Sequence, residues 1–271
     1  MSKQIRVALS GSGFKFPAHV GALRAIEDAG YEIIEIAGTS GGSIVSALYA
    51  SGMPLDHMQE MTMNENWSRM LTLSLWSIAS MQGYCNGDAL HLWIEEQTHG
   101  MHFNETRIPL TIMASDVSDE TPYEFSRKQT PTVSIATAAR ASAAIPAAYT
   151  PVRTTDNCWL VDGGCCNNIP ADKLVQDDIP RLGVQLVSKT TPWRPTNFKV
   201  TDMFPHLLNM ILSANENTHV EMDKYEGTTF AFIETGYASS MNRNMSTALR
   251  EELYKDGYQG ASKGLAAMVV K

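Results

Sequence analysis

Ser40 lies in the pentapeptide Gly38-Thr39-Ser40-Gly41-Gly42, and its flanks decide what such a serine can do. Ile33 to Ala37 is an apolar run of strand length. After the pentapeptide, Ile44, Val45, Leu48 and Tyr49 recur at helical spacing, and Gly52 with Pro54 supplies a stop. Strand, tight glycine turn and helix together are the setting of a nucleophile elbow. Gly38, Gly41 and Gly42 let the chain turn and let other backbone approach. At the helix N-terminus, unpaired N–H groups and the dipole favour negative charge, so an alkoxide or oxyanion at Ser40 would be stabilised. The pattern alone decides little. Gly260-Ala261-Ser262-Lys263-Gly264 repeats it inside a helical stretch with no strand before it, and no role is expected there.

A serine nucleophile needs a base. Asp162 ends the apolar run Trp159 to Val161 and precedes Gly163-Gly164, so it is expected at the same sheet edge as Ser40. An aspartate in such a place is as often a turn or cap residue. Only His206 and His219 follow it, both in a polar stretch predicted to be helical rather than at a strand end. The serine–acid–histidine order of the α/β-hydrolases therefore fits poorly. His19 follows the first glycine loop, where packing is its commoner fate. His91, His99 and His102 cluster in sequence but match no zinc signature and read as solvated loop residues, and neither a metal nor another cofactor is expected.

The loop Gly11-Ser12-Gly13-Phe14-Lys15-Phe16 follows the first predicted strand. Phe16 occupies the third glycine position of a dinucleotide fingerprint, and no G-K-[ST] follows to make a P-loop. Two readings remain: an oxyanion-binding turn whose amides point at the edge where Ser40 sits, or a tight turn without a ligand.

These residues need a scaffold. Ile5 to Ser10 reads as a strand, and Pro17 opens a helix that Gly30 ends. With the elbow, the first 52 residues read as a parallel α/β unit with a right-handed connection. Strands are expected at Ile108–Ser115, Glu120–Ser126, Leu182–Val187 and Thr229–Glu234. Helices are expected at Asp88–His102, Thr132–Ala144, Val200–Tyr225 and Ser246–Val270. Pro54 to Gly87 is rich in Met, with Trp67 and Trp76, and its leucines fall on no single stripe. It is either core helices with Met filling gaps or an adaptable apolar cap over a lipid-sized pocket. No repeat or linker interrupts the chain. The expectation is an α/β fold in one domain, residues 1–271, with a mainly parallel central sheet flanked by helices and a possible helical cap within 54–104.

The chain has 271 residues, 44% apolar and 18% charged, with a net charge of −8 and four cysteines. That is ample for a core, and it makes nucleic acid an unexpected partner. Any membrane contact would be transient, local and apolar. Cys85, Cys158, Cys165 and Cys166 match no zinc spacing, and reduced thiols are expected. Met1 to Arg6 runs directly into a strand without a signal-peptide pattern. A cytoplasmic setting is expected, peripheral to membranes at most, with export by another route left open.

Four separated blocks carry a family resemblance: Leu9 to Leu23, Gly38 to Ser43, Ala141 to Pro146, and Asp162 to Pro170 (D-G-G-C-C-N-N-I-P). In order and content they resemble the patatin-like phospholipases over about the first 170 residues. The resemblance implies a lipid acyl hydrolase with a Ser40–Asp162 dyad, an oxyanion loop at Gly11, Ser12 and Gly13 with Lys15 at its basic position, and no catalytic histidine or metal. It implies a phospholipid, lysophospholipid or other acyl-ester substrate. An acyltransferase or a non-catalytic lipid-binding module would use the same pocket. Ser12 and Phe16 stand where the family pattern has glycines. Backbone donors survive both changes, and Phe16 adds bulk near the mouth.

Overall fold

The computed structural model describes residues 3–80, 83–187, 203 and 216–269. In β1 (Lys3–Leu9), Ile5, Val7 and Leu9 enter the larger core while Ala8 enters a smaller one on the opposite face. β2 (Tyr31–Thr39) divides Ile36 and Ala37 in the same way. Strands buried on both faces need cover on both, which is why the central runs are almost wholly apolar. The larger core lies between the sheet and helices α1 (Phe16–Asp28), α2 (Gly41–Ser51), α6 (Ile135–Ser142) and α8 (Thr247–Val269). The smaller is closed by Ile169, Ala171 and Leu174 and by Val220 of α7 (Glu216–Tyr225).

The remaining strands are β3 (Leu110–Asp116), β4 (Thr121–Ser126), β5 (Val152–Arg153), β6 (Trp159–Asp162), β7 (Arg181–Val187) and β8 (Thr229–Glu234). Their order is β5-β6-β3-β2-β1-β7-β8, with β4 also on β3. The run β3-β2-β1-β7-β8 is parallel, and β4, β5 and β6 join antiparallel. The expected α/β architecture is therefore present, with an antiparallel margin on one side.

β3 is the strand that positions the site. β4 covers Thr111 to Asp116 along one edge. The other edge is shared: β2 pairs with Leu110 to Met113, and β6 pairs with Ala114 to Asp116. β2 runs parallel to β3 and β6 antiparallel, so their C-terminal ends meet head on. Thr39 lies opposite Met113 and Asp162 opposite Ala114, successive residues of one strand.

The segment 54–104 forms no long helical pair. It breaks into α3 (Leu55–Asn64), a 3-10 turn at Trp67–Met70, α4 (Leu75–Ala79) and α5 (Asp88–Gln97). Asn66 and Ser74 each cap a new start by accepting a backbone N–H. Met58, Trp67 and Met70 are core residues, whereas Leu73, Leu75 and Trp76 are exposed. Of the helix expected at Val200–Tyr225, most lies outside the described residues, as does Met81. The two-residue strand β5 was not anticipated, because so short a run has no periodicity to read.

Gly163 is the close-approach point of this junction. A β-carbon there would stand 2.1 Å from the Met113 carbonyl oxygen, which belongs to β3 and cannot yield. Gly163→Ala should therefore lower stability by about 1–3 kcal/mol in chemical denaturation. An unchanged midpoint would contradict this packing.

Candidate active site

Ser40 occupies the turn between β2 and α2 with φ 51 and ψ −126, a conformation that L-residues rarely adopt. Such a backbone costs on the order of 1–3 kcal/mol and persists only where its surroundings hold it. Here the Ser40 amide donates to Ser142 Oγ at 2.8 Å, and the Ser43 hydroxyl donates to the Ser40 carbonyl at 2.6 Å. Gly41 lets the loop after β1 close over the turn, since a β-carbon on it would lie 2.4 Å from the Gly13 carbonyl oxygen.

The Ser40 hydroxyl donates to Asp162 Oδ2 at 2.6 Å, and the Gly164 amide donates to Asp162 Oδ1 at 2.8 Å. Ser40 is 6% exposed and Asp162 2%. Burial pushes the Asp162 carboxyl up to about 6, against the pull of those two hydrogen bonds. It is ionised at neutral pH yet holds a proton far more readily than a surface aspartate.

Two consecutive residues tie the surrounding elements together. The Asn167 carbonyl accepts from Thr39 Oγ1 at 2.8 Å, just before Ser40. The Asn168 carbonyl accepts from the Gly11 amide at 2.9 Å, where the first loop starts. Asn167 is held in turn by Asp172, which accepts from its Nδ2 at 2.7 Å. The Gly11 amide is thereby engaged within the chain, whereas the Ser12 and Gly13 amides donate to no acceptor among the described residues. Gly13 has φ +55, and the Phe14 amide beyond it donates to the Ser240 carbonyl at 2.8 Å. Lys15 is buried and donates from Nζ to Thr235 Oγ1 at 2.9 Å, so it braces the loop against the end of β8.

His19 is fully buried with Nε2 2.8 Å from the Ser10 carbonyl, and burial lowers its pKa to about 4. It is a neutral donor that pins the end of β1. His219 lies on α7, and His206 is outside the described residues. His102 forms a capping box with Glu105. Among the described residues no cluster could hold a metal ion. All four cysteines are free thiols, and burial pushes Cys165 up to about 12, which leaves it unreactive. Ser262 sits inside α8, its hydroxyl turned back to the Tyr258 carbonyl.

A narrow apolar cavity of about 30 Å³ opens beside Ser40, lined by Gly13, Phe16, Ile44, Met70, Leu71 and Tyr149 among others. Phe16 packs at a tilt on Trp67 with ring centroids 4.8 Å apart, and Trp67 meets Trp93 edge to face at 5.3 Å, so one wall of the cavity is aromatic. Sequence reasoning identified the Ala141 to Pro146 block but not Ser142 as the brace of Ser40, nor Asn167 and Asn168 as cross-ties. Their only signal was polar residues in otherwise apolar, turn-forming stretches.

Fold and site together define an α/β protein with a serine elbow facing a buried aspartate at the C-terminal edge of its parallel strands. A family model described as patatin-like phospholipase matches residues 7–175, well over half of the sequence. The chain belongs to the patatin-like phospholipase family, a family of lipid acyl hydrolases. It is 25% identical over 281 residues to the uncharacterized protein R571 of Acanthamoeba polyphaga mimivirus, covering 97% of this chain and 94% of that protein. It is 28% identical over 169 residues to the uncharacterized NTE family protein Rv1063c of Mycobacterium tuberculosis, covering 62% of this chain and only 45% of the relative. The fold is similar to that of VipD from Legionella pneumophila, with a TM-score of 0.64 at 13% identity over 98% of this chain and 67% of VipD.

Asp162 should weaken the fold it serves. Its folded value of about 6 lies above the ordinary 3.8, so the penalty is absent well below pH 3.8, grows as pH rises towards 6 and is complete well above pH 6, where it amounts to about 3 kcal/mol. Asp162→Asn keeps the shape, so it should raise the melting temperature well above pH 6 and leave it unchanged well below pH 3.8. A variant less stable than wild type at both pH values would show that the carboxylate is structurally favourable.

Proposed function

We propose that this chain hydrolyses carboxylic esters of lipids, with Ser40 as nucleophile and Asp162 as its proton acceptor. The observation that carries the reading is the 2.6 Å hydrogen bond between two nearly buried groups, Ser40 Oγ and Asp162 Oδ2, beside an apolar cavity. As Oγ attacks the ester carbonyl carbon, its proton passes to Asp162 and the carbonyl oxygen becomes an oxyanion. The amides of Ser12 and Gly13 are the loop donors left to receive it, with that of Gly41 at the helix N-terminus. The Gly11 amide is spent on the Asn168 carbonyl, so Gly11 supports the loop rather than donating to the oxyanion. Collapse of the intermediate expels the alcohol, which takes the proton from Asp162 and leaves an acyl-Ser40 ester. Water then attacks that ester, gives a proton to Asp162, and the fatty acid leaves as Ser40 Oγ recovers it.

A carboxylate is a weak base at neutral pH, and two features here offset that weakness. Burial raises the affinity of Asp162 for the proton. The strained elbow and surrounding amides hold the developing charge in place before reaction begins. The apolar lining suits the acyl chain of a phospholipid, a lysophospholipid or another acyl ester.

A panel of such lipids assayed with wild type and variants tests the reading. Ser40→Ala and Asp162→Asn should each lose about 10³-fold or more, with the double variant no worse than either, because the pair acts as one unit. The kcat/KM of wild type should rise through about pH 6 and then level, as Asp162 ionises. Gly13→Pro removes a donor and should cost on the order of 10²-fold in kcat. A fluorophosphonate should label Ser40, and His206→Ala and His219→Ala should stay active. An active Asp162→Asn beside a folded but dead histidine variant would overturn the dyad.

A further inference from the structure

From Met70 to Gly87 the chain carries no Asp, Glu, Lys, Arg or His, in a protein of net charge −8. The charged residues that bound this stretch are Arg69 and Asp88, one of each sign. Within it the usual polarity of a surface element is inverted. On α4, Leu75 is 84% and Trp76 79% exposed, whereas Ser77 is 2% exposed. Leu73, Ile78 and Tyr84 extend the same outward apolar face. A water-facing turn would carry the opposite arrangement.

The described residues of the segment are tied to each other and to the site. The Ser74 amide donates to the Tyr84 carbonyl at 2.9 Å, closing the loop on itself. The Tyr84 and Cys85 amides donate to the carbonyls of Ala147 and Ala148 at 3.0 and 2.9 Å. That second strip leads directly to Ile145 and Tyr149, which line the cavity beside Ser40. Met70 and Leu71, at the other end of the segment, line it as well. The exposed apolar residues are thus joined through hydrogen-bonded backbone to segments that line the cavity.

We infer that the face formed by Leu73, Leu75, Trp76, Ile78 and Tyr84 docks on an electrically neutral phospholipid surface, bringing the mouth of the Ser40 cavity against the lipid. Choosing lipid as the occupant rests on the hydrolase reading above, whereas the docking face itself rests on the inverted polarity. Among the described residues no helix is long and apolar enough to cross a membrane. A charge-free face on an acidic chain gains nothing from anionic headgroups; its driving force is the burial of apolar side chains, with an aromatic ring at the interface. Salt should therefore leave it intact.

The test uses the full chain carrying Ser40→Ala, so that binding is read without hydrolysis and stands or falls apart from the catalytic reading. Flotation with phosphatidylcholine vesicles should recover bound protein equally at low and high salt. Leu75→Ser with Trp76→Ser should lower the partition coefficient at least about tenfold at an unchanged melting temperature, since both side chains are exposed. In the unaltered face, brominated acyl chains should quench the emission of Trp76, identified by difference from Trp76→Phe. Failure to bind, binding only to anionic vesicles with loss in salt, equal binding by the double variant, or no quenching of Trp76 in bound protein would each overturn the inference. So would a lipid-free dimer that the double variant abolishes.

Discussion

Everything at the site depends on two strands sharing one edge of a third. β2 and β6 approach each other head on along β3, and neither can continue without colliding with the other. The chain must leave the sheet at both ends, and it does so through glycine turns, at Gly41 and at Gly163. Between the two exits the Ser40 hydroxyl and the Asp162 carboxylate are in hydrogen-bond contact, and both are nearly buried. The short Ser40–Asp162 distance follows from pairing register rather than from any attraction between the side chains.

That junction is costly, and the neighbouring polar groups are arranged to contain the cost. Ser40 holds a strained backbone and Asp162 a buried carboxylate. Ser142 fixes the Ser40 amide, and Asn167 holds Thr39 just before it. Asn168 and neutral His19 anchor the start of the adjoining loop. Three of these four bonds join elements far apart in sequence, so the site is held in place although much of it is turn. Strain supported by its surroundings in this manner is characteristic of places where reactivity, not stability, has been favoured.

On its outer side the site changes character. Polar groups close it from the sheet, while aromatic and aliphatic side chains close it from solvent. Phe16, bulky where the family pattern has glycine, is part of that closure: its ring packs on Trp67 and narrows the cavity. The segment 54–104 serves both as core, through Met58, Trp67 and Met70, and as an exposed apolar face, through Leu75 and Trp76.

How much of this was legible depends on the range of the interactions involved. The strand–turn–helix at residues 31–51, the opening α/β unit and most helix limits follow from apolar period, glycines and caps, which are local properties of the chain. The same local context separated Ser40 from Ser262, whose pentapeptide is identical in pattern but lies inside a helix. Asp162 was readable as a strand-end carboxylate, but not as one belonging to an antiparallel strand. Its contact with Ser40, the brace from Ser142, the engagement of Gly11 by Asn168 and the outward turn of Trp76 came only with the tertiary structure. Strand register and neighbour choice are set by pairing between residues as far apart as Arg6 and Arg181, and that separation leaves no periodic trace in the sequence.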